Sequence, residues 1–206
     1  MTVRWGLLAA GVIAHAFARG LAQTESGRAV AVAARSEDSA REFAAQYGIE
    51  RAYGDYQALL EDPAVDAVYI STPHNFHSEW AIKSAQAGKA VLCEKPVTVN
   101  LSEAEPVIQA ARDAGVLFME AFMYRTHPQL ETLREIVVNG EIGEVRFVEA
   151  RHGFNAGPGY SHRTTNPALA GGGILDVGCY AMSFARLAPG LAAVAFGFRP
   201  PAACGA

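Results

Sequence analysis

Residues 3–23, VRWGLLAAGVIAHAFARGLAQ, pass from an apolar, β-rich run into a helical pattern through a turn of small residues. Ala9, Gly11 and Ala14 occupy the small positions of the dinucleotide-binding fingerprint G-x-G-x-x-G/A. The middle glycine lets the backbone approach a pyrophosphate, and the helix N-terminus presents free N–H groups and a positive dipole end. Because the first glycine is absent, an ordinary tight turn between strand and helix fits the string equally well. The cofactor contacts predicted here are Ala9, Gly11, Val12 and Ile13.

Strand and helix patterns continue to alternate beyond this turn. The β-rich runs AVAVAARS, DAVYIST, AVLCEKP and LFMEAFM are separated by helical stretches. Ser36 and Ser102 are predicted to begin two of these helices, which Gly48 and Gly115 end. Such alternation indicates a parallel sheet with helices on both faces. We therefore expect an α/β fold, a Rossmann-type doubly wound parallel sheet, in a dinucleotide-binding domain over residues 1–122.

The pattern changes in residues 123–206. HPQLETLREIVVNGEIGE predicts a helix and a turn, and VRFVEARHGFN, residues 145–155, alternates like a strand with one wet face. A last helix is expected from about Leu175 to Leu187, followed by one strand-like run. These elements predict an incomplete α+β domain with a mostly antiparallel sheet, serving the substrate and oligomerisation.

The composition excludes several classes of protein. Half of the residues are apolar, 18% are charged and the formal net charge is -4, so nucleic acid is not an expected partner. The cysteines Cys93, Cys179 and Cys204 lack metal-ligand spacing, which indicates free thiols in a reducing compartment and no metal site. We find no cleavable leader, and no apolar run that reaches the roughly 18 residues of a membrane span. We expect a soluble, cytoplasmic protein without a membrane partner.

The end of the second predicted strand indicates the choice of cofactor. NAD-binding proteins often place an acidic residue there for the ribose 2′-hydroxyl, whereas this chain has Arg35 and Ser36. A guanidinium suits a 2′-phosphate, so NADP is favoured and NAD is less expected. The alternative is a solvated surface arginine, and Glu37 and Asp38 reduce the local positive potential.

Four strings in fixed order carry a more specific signal: STPHNFH (71–77), CEKP (93–96), MEAFMYRTHP (119–128) and GGGILDVGCY (171–180). Together they resemble the Gfo/Idh/MocA family of oxidoreductases over essentially Val3 to Leu187. Tyr180, where many relatives have histidine, resembles the branch of dimeric dihydrodiol dehydrogenases and NADP-dependent xylose dehydrogenases. The resemblance implies oxidation of a secondary alcohol of a sugar, polyol or trans-dihydrodiol by hydride transfer to NADP. It also implies a homodimer for full-length relatives.

The chemistry of such a reaction needs a base for the hydroxyl proton. A tyrosine with a pKa near 10 is too weak a base unless a nearby ammonium favours its phenolate. Lys95 follows the predicted strand in the run AVLCEKP, in the crevice where parallel sheets bind ligands, and the resemblance implies a cis Lys95–Pro96 bond that aims it at the substrate. Asp176 and Tyr180 share a helix face, so Asp176 can bind a substrate hydroxyl or orient Lys95. The predicted catalytic residues are Lys95, Asp176 and Tyr180.

Each catalytic assignment has a structural alternative. Asp176 could be a helix cap, Tyr180 a core aromatic, and Lys95 a surface lysine. The resemblance also places Thr72, Pro73, His77, Glu94 and Lys95 along the cofactor, although His77 alone reads as a capping or surface histidine. Substrate-pocket residues are predicted at Tyr124, Arg125 and Phe154, with a structural salt bridge as an equal alternative for Arg125.

The carboxyl end differs from the family pattern. The final PPAACGA does not resemble a strand, and the substrate sheet of family members extends well beyond the catalytic helix. We expect a C-terminally truncated relative. The alternative function is therefore a nucleotide-binding module, or a partner subunit, without independent turnover.

Overall fold

The computed structural model describes residues 2–155 and 165–187. Contacts between residues divide the chain into two compact units. The amino-terminal unit comprises Met1–Ala121 with Pro167–Ala170, and the carboxyl-terminal unit comprises Phe122–Asn166 with Gly171–Ala206. The strand-like run predicted after Leu187, and Cys204, lie outside the described residues.

The amino-terminal unit is a parallel sheet whose strands alternate with helices. Its strands are β1 (Val3–Leu8), β2 (Gly27–Ala33), β3 (Arg51–Tyr53), β4 (Ala67–Ile70), β5 (Ala90–Cys93) and β6 (Phe118–Glu120). Its helices are α1 (Val12–Leu21), α2 (Glu37–Tyr47), α3 (Tyr56–Glu61), α4 (His77–Gln86) and α5 (Leu101–Ala114), with a 3₁₀ turn at His74–Phe76. The strand order is β3-β2-β1-β4-β5-β6, and every pairing is parallel.

This order confirms the predicted Rossmann-type sheet. The chain leaves β1 toward β2 and β3 on one side and returns to β4, β5 and β6 on the other, so β1 and β4 flank the point where the order reverses. Ligands of open α/β sheets bind outside the carboxyl ends of the strands at this switch point. The residues that follow β1, β2, β4 and β5 therefore share one edge of the sheet.

Two buried clusters cover the two faces of the sheet. Leu8, Val68 and Ile70 pack with residues of α3, α4 and α5, whereas Leu7 and Tyr69 pack with residues of α1 and α2. Neighbouring residues of a strand point to opposite faces, so β1 and β4 each contribute residues to both clusters. Burial on both faces explains why the strands read as continuous apolar runs.

Helix ends agree with the predicted signals at three of four positions. Ser36 accepts a hydrogen bond from the Ser39 N–H at the start of α2, and Gly48 and Gly115 end α2 and α5 with left-handed φ values of 65° and 64°. The prediction for Ser102 is wrong, because the side chain of Asn100 accepts from the Glu103 N–H and begins α5. Asparagine caps a helix as well as serine does.

The described part of the carboxyl-terminal unit is helical and irregular. A 3₁₀ turn, Met123–Thr126, leads into α6 (Pro128–Val138), and a π-helical turn, Ile174–Gly178, leads into α7 (Cys179–Ala185). The predicted helix near 175–187 therefore exists, but its first turn is wider than an α-helical turn. Gly172 precedes it with a φ of 139°, a conformation that L-residues with a side chain rarely adopt.

The strand predicted over residues 145–155 is wrong for the described structure. These residues lie in neither a helix nor a strand, and Phe147 is 79% exposed. Within residues 2–155 and 165–187, no strand follows β6. An alternating sequence becomes a strand only when a partner supplies ladder hydrogen bonds and covers its apolar face, and the described residues provide neither.

One segment reaches the length of a membrane span, contrary to the expectation from the apolar runs of the sequence. Pro167–Ala185 is 19 residues long and contains an 18-residue window with a mean hydropathy of 1.3, so it has the length and composition of a membrane span. It is not one continuous α-helix, since a 3₁₀ turn at Pro167–Leu169, a bend at Gly172 and the π-helical turn precede α7. A single segment of this kind is weak evidence for a membrane, because core helices pass the same test.

Candidate active site

The turn between β1 and α1 presents an open helix N-terminus. Gly11 is the N-cap of α1, and no described side chain caps it; the first turn contains no acidic residue. Val12 is 85% exposed, and a Cβ added to Gly11 would meet nothing within 4 Å. Backbone N–H groups at such a terminus can bind an anion, and the open space accommodates a phosphate group.

Ala9 takes the conformation that the fingerprint's first glycine would take. Its φ is 83°, in the left-handed region, while its N–H donates to the Ala33 carbonyl oxygen at 3.0 Å. The backbone of the nucleotide-binding turn is therefore formed although the glycine is absent. The missing first glycine made the motif weak as a sequence signal, but the turn accommodates the side chain of Ala9.

Arg35 stands at the carboxyl end of β2 as an exposed cation. It forms no ion pair with any residue of the described ranges, and the neighbouring Glu37 is bound by Arg41 at 2.5 Å. Glu37 is thereby engaged away from Arg35, which leaves the guanidinium available for an anion. Ser36 serves as the N-cap of α2, so its hydroxyl already has a structural role.

The loop after β4 contains two buried polar atoms without partners. Thr72 Oγ1 and Asn75 Oδ1 are both inaccessible, and neither has a hydrogen-bond partner within the described structure. Buried polar groups are nearly always paired, so such atoms indicate a ligand or an ordered water. Pro73 lies between them along the chain, and the loop borders the switch point of the sheet. These atoms and the open α1 terminus fit a dinucleotide.

The Glu94–Lys95–Pro96 segment follows β5 and is held by neighbouring side chains. The Tyr69 hydroxyl donates to Glu94 Oε1 at 2.7 Å, and the Lys95 N–H donates to Glu94 Oε2 at 3.3 Å. The Lys95–Pro96 peptide bond is cis, as the resemblance implied. One residue further on, the Val97 N–H donates to a carboxylate oxygen of Glu120 at 2.9 Å. The side chain of Lys95 is half-buried.

His77 lies beside this segment, at the first residue of α4. Its relative exposure is 0%, so the surface alternative is wrong. Nδ1 lies 2.7 Å from the Pro96 carbonyl oxygen, and Nε2 lies 2.8 Å from the Thr72 carbonyl oxygen. The ring therefore bridges the loops that follow β4 and β5.

In the carboxyl-terminal unit, aromatic rings surround Tyr180. The His152 ring stacks on it at 4.9 Å between centroids, and the rings of Phe122 and Tyr124 lie at 5.4 Å and 6.0 Å. Tyr180 also lines an open groove of about 410 Å³. The other residues of that groove are Met123, Tyr124, Glu149, Ala150, Arg151, His152, Ala181 and Phe184. A flat, apolar ligand would fit between such rings.

Ser183 joins two of the predicted substrate residues. The Tyr124 hydroxyl donates to Ser183 Oγ at 2.8 Å, and Arg125 Nη2 donates to the same oxygen at 3.0 Å. Arg125 has no salt bridge among the described residues, and its guanidinium lies 5.6 Å from the Phe122 ring centre. Phe154, the third predicted substrate residue, is exposed.

Asp176 lies in the π-helical turn, one turn before Tyr180. Its N–H donates to the Gly172 carbonyl oxygen at 3.0 Å, and its own carbonyl oxygen accepts a contact from Cys179 Sγ at 3.7 Å. Positions four apart lie on nearly the same side of a π-helical turn as of an α-helical turn, so the shared face predicted for Asp176 and Tyr180 is compatible with this turn. The catalytic assignment of Asp176 stays a prediction.

Of the two cysteines within the described residues, Cys93 is buried and Cys179 is partly buried. Burial raises the pKa of the Cys93 thiol well above its ordinary value, so the reactive thiolate is disfavoured there. Within residues 2–155 and 165–187, no group of three histidine, cysteine, aspartate or glutamate residues is placed to hold a metal ion.

Comparison with known proteins assigns this arrangement to a family. The profile described as "Oxidoreductase family, NAD-binding Rossmann fold" matches residues 3–122, and the "GFO/IDH/MocA C-terminal domain" profile matches residues 130–194. The chain belongs to the Gfo/Idh/MocA family of oxidoreductases. The resemblance found in the sequence strings is thereby confirmed.

Curated relatives of this Gfo/Idh/MocA chain include two kinds of dehydrogenase. Trans-1,2-dihydrobenzene-1,2-diol dehydrogenase of Mus musculus is 44% identical over 188 residues, covering 89% of this chain and 55% of the relative. D-xylose 1-dehydrogenase (NADP(+)) 2 of Haloferax volcanii is 45% identical, covering 80% and 50%. The chain spans about half the length of the curated relatives it matches.

Solved structures give the same fold. An NAD binding oxidoreductase from Klebsiella pneumoniae superimposes with a TM-score of 0.78 at 33% identity, covering 92% of this chain and 54% of that one. KijD10, a 3-ketoreductase from Actinomadura kijaniata in complex with NADP and TDP-benzene, gives 0.77 at 34% identity, covering 91% and 57%. The Rossmann-type fold of the Gfo/Idh/MocA chain is thus shared with nucleotide-binding oxidoreductases.

Four side chains that contact the predicted site segments of this Gfo/Idh/MocA member were not assigned these contacts from the sequence. Tyr69 donates a hydrogen bond to Glu94, and Glu120 accepts one from the Val97 N–H. Ser183 accepts hydrogen bonds from Tyr124 and Arg125, and the His152 ring stacks on Tyr180. Tyr69 is the penultimate residue of the buried strand β4, and Glu120 is the last residue of the edge strand β6. A polar side chain at the end of a strand is a usable signal for residues at the carboxyl edge. Ser183 gives no such signal, since its role depends on the packing of α7.

Proposed function

We propose that this protein is an NADP-dependent oxidoreductase that oxidises a secondary alcohol of a sugar, polyol or trans-dihydrodiol. The observation that carries the proposal is the Glu94–Lys95–Pro96 segment, held in place at the carboxyl edge of the sheet beside the two unpartnered buried atoms of the β4 loop. Similarity to a dihydrodiol dehydrogenase, to an NADP-dependent xylose dehydrogenase and to a 3-ketoreductase in complex with NADP supports it.

The cofactor would be held by groups along the carboxyl edge of the sheet. Gly11, Val12 and Ile13 offer backbone N–H groups to the pyrophosphate, and Ala9 shapes the turn. Arg35 binds a 2′-phosphate, with Ser36 beside it. The remaining contacts are assigned to Thr72, Pro73, Glu94 and Lys95, whereas the buried ring of His77 contacts two backbone carbonyl oxygens instead. When bound, NADP supplies a hydride acceptor.

The side chains of this protein move the proton. We assign Tyr180 as the base that takes the proton of the substrate hydroxyl, because a phenolate stabilised by an ammonium has the required basicity. Lys95 supplies that ammonium and donates a hydrogen bond to the reacting oxygen. Asp176 accepts a hydrogen bond from a second substrate hydroxyl or from Lys95. These roles rest on the motif and on the chemistry of alcohol oxidation.

The organisation and location of the protein are part of the proposal. Residues 1–122 form the dinucleotide-binding domain, and residues 123–206 contribute to a substrate domain in which Tyr124, Arg125 and Phe154 contact the substrate. The aromatic rings around Tyr180 favour a substrate with a flat, apolar face. We place the protein in the cytoplasm, without nucleic-acid or membrane partners; the homodimer that the family resemblance implies concerns the longer relatives.

Turnover and binding, measured separately, test the proposal. Purified protein is mixed with NADP and a panel of pentoses, polyols and trans-dihydrodiols, and NADPH formation is followed by absorbance. We expect NADPH with at least one compound and none with the Lys95→Met variant. NADP binding without turnover on the whole panel would instead support the nucleotide-binding module, and absence of NADP binding would refute both.

A further inference from the structure

We infer that His77 is a positioning residue that sets the place of Lys95 through the Pro96 carbonyl group. This inference rests on the proposed function, in which Lys95 acts on the substrate. It assigns to the histidine a task other than contact with the cofactor. The ring is fully buried, and each of its nitrogens faces a backbone carbonyl oxygen rather than an open pocket.

The supports of the segment show why His77 matters to the lysine. Tyr69 fixes the Glu94 carboxylate ahead of Lys95, and Glu120 fixes the Val97 N–H behind it. The Pro96 carbonyl oxygen lies between these two supports, and His77 Nδ1 is 2.7 Å from it. Because proline has no N–H, its carbonyl group is the one backbone hydrogen-bonding group through which Pro96 can be held. His77 therefore completes the fixation of the backbone on both sides of Lys95.

The second ring nitrogen, Nε2, contacts the loop that follows β4, to which the proposal assigns cofactor contacts. His77 Nε2 lies 2.8 Å from the carbonyl oxygen of Thr72, the residue whose Oγ1 is buried without a partner. One rigid ring thus ties the loop that follows β4 to the loop that follows β5. A small displacement of a reacting group costs a large factor in rate, so the Pro96 contact, which adjoins Lys95, is the one expected to matter for turnover.

The two contacts can be separated by substitution. An asparagine amide nitrogen lies near the position of Nδ1, and a glutamine amide nitrogen lies near that of Nε2. His77→Asn therefore places an N–H donor near the Pro96 carbonyl oxygen and none near that of Thr72, whereas His77→Gln does the reverse. If His77 acts through Pro96, His77→Asn retains most of the turnover, and His77→Gln lowers kcat by about 10- to 100-fold. NADP affinity stays within about three-fold in both variants, which separates positioning from cofactor binding.

A second readout does not depend on turnover. The sequence contains three lysines, Lys83, Lys89 and Lys95, so the ε-methylene signals of a ¹³C-lysine-labelled protein are few and assignable with Lys83→Arg and Lys95→Met. We expect His77→Gln to shift the Lys95 signal and His77→Asn to leave it near its wild-type position. Lys89 is buried, with Nζ donating to the Asp62 and Val65 carbonyl oxygens, so its unchanged signal reports an intact fold.

The outcomes separate the inference from the proposed function. If the wild-type protein turns over no substrate, the proposed function fails while the lysine signals still decide the positioning role. Equal effects of the two variants on Lys95, or unfolding of both, would make His77 a general structural residue and overturn the inference. Loss of NADP affinity with an unshifted Lys95 signal would make His77 a cofactor ligand and overturn it as well.

Discussion

Replacement of Ala9 by glycine should stabilise the amino-terminal unit. Ala9 has a φ of 83°, and the hydrogen bond from its N–H to Ala33 fixes it there. The left-handed region costs an L-residue roughly 1–2 kcal/mol, and glycine avoids this cost. Glycine also increases the conformational entropy of the unfolded chain, which removes about 0.4–1 kcal/mol of this gain in unfolding free energy. The net gain in unfolding free energy is therefore between about 0 and 1.6 kcal/mol, with a midpoint of ~0.8 kcal/mol.

The sequence supplies both a selective probe and a matched control. The two tryptophans, Trp5 and Trp80, lie in the amino-terminal unit, so tryptophan fluorescence during urea unfolding reports that unit. Ala10→Gly is the control: Ala10 does not have a positive φ, so glycine there brings only the loss of about 0.4–1 kcal/mol. We expect opposite signs for the two variants. A destabilisation by Ala9→Gly equal to that of Ala10→Gly would refute the argument that Ala9 is strained.

Three further predictions concern the cofactor, the lysine and pH. Arg35→Ala should narrow the preference for NADP over NAD by roughly 10- to 150-fold, since one charge-assisted hydrogen bond contributes about 1.5–3 kcal/mol; equal affinities of the wild-type protein for both cofactors, measured by fluorescence titration, would contradict it. Lys95→Met should abolish NADPH formation while NADP affinity changes less than about three-fold; loss of binding instead would make Lys95 a phosphate ligand. The hydrogen bond from Arg4 lowers the pKa of Asp66 to about 2. Its stabilising contribution should be complete above the ordinary carboxyl pKa near 3.9 and lost as pH falls through about 2; Asp66→Asn should flatten the acid limb of the stability profile, and an unchanged limb would refute this.

The sheet could be predicted because its signals are local and repeated. The apolar runs ending at Ile70 and Cys93 are bounded by turn residues and separated by helices with recognisable caps. The edge strand β3, Arg51–Tyr53, was absent from the β-rich runs because three residues give no periodicity. The cap of α5 was misplaced by two residues because Asn100 and Ser102 are both good capping residues.

The rest depends on contacts that a linear pattern does not contain. In the sequence, His77 has the features of a surface or capping residue. In the structure it is buried, and its two ring nitrogens contact the carbonyl oxygens of Pro96 and Thr72. Residues 145–155 alternate like a strand, yet a strand needs a neighbour, and the described residues offer none. The left-handed Ala9 shows the opposite case, in which an unfavourable residue is tolerated because tertiary contacts hold the backbone.

The supports of Lys95 have a consequence for recombination between genes. Tyr69, His77 and Glu120 all lie within the amino-terminal unit, and so does the segment that they hold. A coding segment that ends after residue 121 therefore carries the lysine together with these supports. Joined to a different downstream segment, it would carry the same backbone fixation of Lys95 into a new protein. Under the proposed function, such an exchange would change the substrate surface and keep the lysine.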